Sequence, residues 1–428
     1  MLLGLLAPSP STAAEFYVAP AGDDADSGTI DRPFATVTRG QEAASPGDTV
    51  WVRGGEYVFS GTEIQIGILL NKSGEEGKRI NYWAYQDETP IFDFYQLATR
   101  VRIRGISVTA DWLHLKGLEV RGVQQILTRA HESWAIHVDG GSHNIFDRLD
   151  LHHNEGPGLF IADGGDNLGL NCDSHHNYDP DRGGENADGF GGHSNDDGNV
   201  FRGCRAWFNS DDGFDLINAP GVHTIEGCWA WHNGFVLDTA ERAGNGGGFK
   251  SGGFLLNPAR FPPQIPTHVI QFNLSFNNRV QGFYANYHPG PLHFYNNTAF
   301  GNPRNFDMQT VVDPVVHVLR NNIACGPGVA LANATKSDPD DQFNSWNLET
   351  QVVDADFLSV TPEGMGGPRQ ADGSLPRLDF MRLARTSRLA DIGVDVGLPY
   401  HGTAPDLGAF ETEWGANTHQ TASHIHPL

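Results

Sequence analysis

Gly203-Cys204-Arg205-Ala206-Trp207-Phe208-Asn209 and Gly227-Cys228-Trp229-Ala230-Trp231-His232-Asn233 align without a gap, 24 residues apart. The register extends in both directions. Leu149, Cys172, Cys204, Cys228, Asn273, Asn297 and Asn322 fall in one column. Three residues later come His152, His175, Trp207, Trp231, Phe276, Phe300 and Cys325. Two further on lie Asn154, Asn177, Asn209, Asn233, Asn278 and Asn302. From Leu149 the spacings are 23, 32, 24, 45, 24 and 25 residues. A base period near 24 with occasional insertions is the signature of a solenoid, in which each repeat is one coil. The expected fold is all-β: a right-handed parallel β-helix whose asparagines stack at a corner. Asn is suited there because it bonds to neighbouring coils and tolerates the left-handed conformation.

Composition agrees. Glycine supplies 52 of 428 residues, well above the usual share of about 7%, and few stretches have helical periodicity. A short helix is expected from Pro33 to near Ser45, capping the open N-terminal end, followed by a strand over 49–53. From about residue 335 the repeat fades, and Pro405–Glu411 is expected to form a last coil or a cap. Residues 15–411 read as one β-helix domain, 412–428 as a disordered tail. Residues 1–14, MLLGLLAPSPSTAA, resemble the end of a signal peptide with a cut after Ala14, although the usual basic start is missing. No other apolar stretch is long enough to cross a bilayer. The chain is expected to be secreted or periplasmic, and monomeric.

The net charge is −24, and no basic stripe suggests nucleic-acid binding. An anionic partner must therefore be held locally, by a metal ion or a few cations. The four cysteines, Cys172, Cys204, Cys228 and Cys325, form no CxxC pair, which argues against structural zinc. Three share a column and are expected to fill the core as small apolar groups. A Cys204–Cys228 disulfide is sterically open to stacked residues.

A further column carries the chemistry. Gly158-Leu159, Gly189-Phe190, Gly213-Phe214, Gly248-Phe249 and Gly282-Phe283 align. If the apolar member points inward, the next residue points outward, giving Phe160, Gly191, Asp215, Lys250 and Tyr284. Asp188 and Asp212 each precede a Gly-Phe pair and should stack about 4.8 Å apart. With Asp211 and Asp215 they make a carboxylate wall that calls for a hard cation such as Ca²⁺. Lys250, one coil on from Asp215, is the candidate base. The glycines of Gly244–Gly248 are expected to leave room for a sugar chain. Arg279, Tyr284 and His193 are candidate substrate contacts; His152 and His175 are expected to be core or ladder residues.

At these residues the sequence resembles polysaccharide lyase family nine, the β-helical pectate lyases. The likeness is densest over NCDSHHNYDPDRGGENADGFGGH (171–193), GNVFRGCRAWFNSDDGFDLINAPG (198–221) and GNGGGFKSGG (244–253), and continues through 277–302. It implies that Asp188, Asp211, Asp212 and Asp215 are calcium ligands and that Lys250 removes the carbon-5 proton of a uronate in a β-elimination. The implied partner is an acidic polysaccharide, pectate or polygalacturonate. Gly192-His193 stand where several relatives carry a lysine, and Ser251 where they carry a larger apolar residue. Both are expected beside the groove, leaving open a rhamnogalacturonan or another uronate polymer. A polygalacturonase-type hydrolase using paired carboxylates and a non-catalytic carbohydrate-binding β-helix are the competing readings.

Overall fold

The computed structural model describes residues 13–62, 64–97, 102–125, 132–310, 317–334, 340–349, 351–413 and 418–419. Strands separated by one repeat pair in parallel, because each coil retraces the course of the one before it. They build three sheets of 12, 10 and 10 strands. The 12-stranded sheet runs from Glu15–Val18 to Asp340–Gln342. One 10-stranded sheet, here the ladder sheet, runs from Gly55–Gly61 to Ile323–Cys325, and the other, the site sheet, from Ile66–Leu70 to Val329–Ala332. Ten coils contribute one strand to each sheet, and Glu15–Val18 and Asp340–Gln342 extend the 12-stranded sheet at its two ends, giving the expected right-handed parallel β-helix.

The inward apolar column is continuous. Phe190, Phe214, Phe249, Phe283 and Phe306 stack with centroids 4.8–4.9 Å apart and no solvent exposure. The spacing is the interstrand distance, so burial and sheet pairing reinforce each other.

The asparagine column is a hydrogen-bonded ladder. Asn154 Nδ2 donates to Asn177 Oδ1, and the same bond links Asn177 to Asn209, Asn209 to Asn233, Asn233 to Asn278 and Asn278 to Asn302 at 2.9–3.1 Å. The left-handed residue at this corner, however, precedes the asparagine: His153, His176, Phe208, His232 and Asn277 have φ of 50–53°. That residue turns the chain so that the asparagine side chain enters the stack.

The first column forms a second ladder in which sulfur replaces amide. Cys204 N–H donates to Cys228 Sγ at 3.3 Å and Cys228 N–H to Asn273 Oδ1 at 2.8 Å; Asn273, Asn297 and Asn322 continue it. The cysteines are thus ladder rungs as well as core fillers. All four are free thiols, so no Cys204–Cys228 disulfide is present.

The helix is shorter than expected, Val37–Ala43. Phe34 is drawn into the first coil, where its N–H bonds Tyr17 O and its carbonyl accepts from Ala19, so the Pro33 segment pairs with the β-helix before Thr36 caps the helix. Gln41 ties the helix to the coil below through Leu69 O and Asn71 N–H. The next strand is Thr49–Val52.

The C-terminal expectation is overturned. Residues 405–411 form neither a coil nor an end cap. The chain runs back as a strap along the ladder sheet, whose outward ring stack runs through His152, His175, Trp207, Trp231 and Phe276. Phe357, Met365, Phe380 and Leu383 pack over Trp231 and Phe276 as a second core. Arg369 fastens the strap to Asp173, at 2.6 Å, and to the carbonyls of Cys172 and Gly203. Most of the expected leader (1–12) and of the tail (414–417 and 420–428) lies outside the described residues. No helix among the described residues is long and apolar enough to cross a membrane.

Candidate active site

The outward column lies on the site sheet in the expected register. Phe160 faces Gly191, Gly191 faces Asp215, Asp215 faces Lys250 and Lys250 faces Tyr284. Where the chain enters these strands, Asp188, Asp211 and Asp212 each place a carboxylate oxygen within 4.8 Å of the other two. All three are buried. Backbone amides orient them: Asp188 accepts from Asp212 N–H at 3.0 Å, Asp211 from Asn186 N–H at 3.0 Å and Asn245 N–H at 2.5 Å, and Asp212 from Gly247 N–H at 2.5 Å.

The glycine-rich stretch therefore does something other than leave room for sugar. A Cβ on Gly247 would stand 2.8 Å from Asp212 Oδ1, and Gly246 adopts φ 77°. Glycine lets this backbone reach the carboxylates. Arg279 braces the same loop, its Nη2 donating to Gly244 O at 2.5 Å and Asn245 O at 2.6 Å.

Asp215 stands apart from the trio. It accepts from Ile217 N–H at 2.7 Å and from Lys250 Nζ at 3.0 Å. Lys250 Nζ is also 3.2 Å from Asp212 Oδ2, an ion-pair contact that lacks hydrogen-bond geometry, so that buried oxygen has no hydrogen-bond partner. Lys250 is itself buried rather than solvated. Burial alone would lower its pKa, but Asp215, Asp212, Asp211 and Asp188 outweigh it and hold the ammonium charged. Burial, then Asp211, Asp215 and Asp212, push Asp188 well above the ordinary carboxylate range. Burial also lifts Asp212 to about 7 against the opposing pull of Lys250. One ammonium does not compensate four carboxylates in so dry a place. The all-oxygen donor set and the unsatisfied Asp212 Oδ2 fit a hard divalent cation.

The softer candidates divide. His193 is half-buried with Nε2 4.0 Å from Asp215 Oδ2 and its ring 4.5 Å from Phe160; burial lowers its pKa. Tyr284, half-buried, flanks Lys250 on the other side, and burial raises its phenol. Gly192 and Ser251, expected beside the groove, are interior. A Cβ on Gly192 would meet His223 and Leu216, and Ser251 is fully buried with Oγ bonded to Phe249 O. Side chains alternate along a strand, so only His193 of this set reaches the outer wall.

The columns as read from sequence missed the wall upstream. His137 faces Phe160 in register, and Trp134 packs against both, at 4.2 and 5.7 Å. Glu132, its pKa raised by burial, senses Arg102, Arg182 and Asp215. The signal is faint because Ala135-Ile136 replaces the Gly-apolar pair in this coil.

A family described as Pel9A-like, right handed beta helix region, matches residues 16–322. Pectate lyase L of Dickeya dadantii is 36% identical over 409 residues, 94% of this chain and 91% of that protein. The crystal structure of pectate lyase Pel9A superposes with a TM-score of 0.81 at 34% identity, covering 94% of this chain and 97% of that one. A rhamnogalacturonan lyase superposes at 0.79 with 33% identity, covering 87% and 97%.

Proposed function

The chain belongs to the Pel9A-like right-handed β-helix family and is a polysaccharide lyase of the pectate lyase kind; we propose that Lys250 is its catalytic base and that Asp188, Asp211, Asp212 and Asp215 hold a calcium ion beside it. The observation that carries this reading is Lys250 standing in register with Asp215, its Nζ beside a buried carboxylate trio.

A calcium ion bound there would supply positive charge to the uronate carboxylate, stabilising charge that develops when carbon 5 loses its proton. Asp215 fixes the position of Nζ through its 3.0 Å bond. Lys250 accepts the carbon-5 proton in its neutral form; the bond from carbon 4 to the glycosidic oxygen then breaks, that oxygen takes a proton from water, and an unsaturated uronide remains. The carboxylates that keep Lys250 charged are the groups the cation would neutralise, so occupancy of the wall and readiness of the base are coupled. Arg279 keeps the Gly244–Gly246 backbone, and with it Asp211, in place. Its Nε is buried, so Nη1, with His193 and Tyr284, is offered to the sugar chain. The substrate is polygalacturonate; the enzyme acts outside the cytoplasm, where such polymers occur, as one domain over 15–411, the β-helix with the strap packed along it. Likeness to a rhamnogalacturonan lyase supports a second reading in which the backbone is rhamnogalacturonan.

The deciding measurement is the ultraviolet absorbance of products from polygalacturonate and from rhamnogalacturonan, with calcium and with chelator. The expected result is an absorbing double bond from polygalacturonate that chelator abolishes. Reducing ends without absorbance would indicate a hydrolase, and binding without cleavage a non-catalytic protein.

A further inference from the structure

On the far side of the coil from Lys250, the strap leaves a cavity of about 330 Å³ against the corner between the 12-stranded and ladder sheets. Arg202, Arg377 and Arg382 line it, with Phe272, Phe410 and Glu226. Three arginines meeting in one cleft is unexpected in a chain with 28 basic and 52 acidic residues. The carboxylates that offset them are loosely held: Glu226 and Glu413 stand 3.5 and 3.7 Å from their arginines, and Asp379 acts on Arg382 from further off. Arg382 lies 4.6 Å over the Phe410 ring and donates from Nε to Leu378 O, a neutral acceptor. Among the described residues Arg377 pairs with Glu413 alone, at 3.7 Å, with both side chains more than 70% exposed, where pairing is weak. Arg202 is 3.5 Å from Glu226, the one carboxylate lining the cavity among the described residues. Burial, then the charge of Arg377, lowers the pKa of Arg382, and Glu413 and Asp379 oppose the shift without reversing it.

Phe272 and Phe410 are half-buried and offer apolar ring surface beside these cations. Aromatic faces suit the C–H side of a sugar ring, and guanidinium groups bind carboxylates in bidentate fashion. The volume is at the small end of ligand sites, suited to a saccharide of very few residues.

We propose that this cleft is a second carbohydrate site, which takes a short uronide segment and holds the polymer away from the groove where it is cut. The choice of uronide rests on the substrate class given above, but the site can be tested without catalysis.

Trigalacturonate is titrated calorimetrically into the Lys250→Ala protein, with calcium and with chelator. Binding that survives chelator is expected, and the Arg202→Ala/Arg377→Ala pair, both solvent-accessible, should weaken it roughly tenfold or more. In the enzyme that retains Lys250, the same pair should leave trigalacturonate cleavage unchanged. The proposal is overturned if no chelator-resistant binding exists, or if the double variant keeps it. Equal binding of galactotriose, or of inorganic phosphate at the same concentration, would also overturn it. Absence of cleavage by the parent enzyme would count against the Lys250 reading alone, because the titration does not depend on turnover.

Discussion

Lys250 donates a 3.0 Å hydrogen bond to Asp215, the residue directly opposite it on the preceding coil. The pair joins the proposed base to the carboxylate wall, and two consequences follow for a Lys250→Ala variant. Turnover of polygalacturonate should fall by about 10²–10⁴-fold, the usual contribution of a positioned base, with the circular dichroism spectrum unchanged. Calcium should bind more tightly, because an ammonium that competes for Asp212 and Asp215 is gone. Weaker calcium binding in a direct titration would contradict the arrangement.

Gly247→Ala tests the backbone that orients the wall. Its Cβ would lie 2.8 Å from Asp212 Oδ1, and Asp212 has no slack because that oxygen already accepts from Gly247 N–H. The expected outcome is weakened calcium binding with a stability loss of about 1–3 kcal/mol from overpacking. A variant with parental calcium affinity and Tm would show that the close approach is unimportant.

Asn233→Ala should destabilise the coil itself. The side chain accepts from the backbone and amide of Asn209 and donates to Ala206 O and Asn278 Oδ1. Its removal strands buried polar groups on both neighbouring coils, at a cost of about 2–4 kcal/mol. Chemical denaturation measures this directly. Asn233→Asp should be worse still, since a carboxylate would face Asn278 Oδ1 without a donor.

The strap carries a pH dependence of its own. Burial, then the charge of Asp406, raises Glu411 to about 8. A carboxyl whose folded pKa lies above its unfolded value near 4.5 binds protons more strongly when folded. Its contribution is therefore complete below about pH 4.5 and is lost as pH rises through about 8. Tm should decline across that window, and Glu411→Gln should flatten the decline. An unchanged slope in the variant would assign the dependence elsewhere.

The cysteine column offers a chemical check. Cys204 and Cys228 serve as hydrogen-bonding rungs, with Cys228 Sγ donating to Phe201 O at 3.4 Å. Alkylation of the protein unfolded without reductant should label all four cysteines; protection of two would mean an oxidised pair.

Residue order alone determined the repeat, the parallel β-helix implied by it, and the outward column on which Asp215, Lys250 and Tyr284 stand. Strand periodicity is strict, so a one-residue offset decides which face a side chain occupies. The same rule puts Gly192 inside, two residues after the inward Phe190 and one after the outward Gly191. The position of the left-handed residue, one before each asparagine, was not legible because corner conformation depends on where the side chain must enter the stack. Nor could local sequence reveal that Gly244–Gly248 packs against carboxylates 33 or more residues earlier in the chain. The strap's path was hidden for the same reason: its contacts with Asp173 and Trp231 bridge long sequence separations without any repeat. Periodic, nearest-coil interactions leave a pattern in sequence, whereas single long-range contacts do not. The β-helix and the Asp–Lys wall were therefore readable in advance. Tertiary packing alone separated the Asp188–Asp211–Asp212 trio from Asp215, buried Lys250 among them, and folded the C-terminal chain back along the ladder sheet.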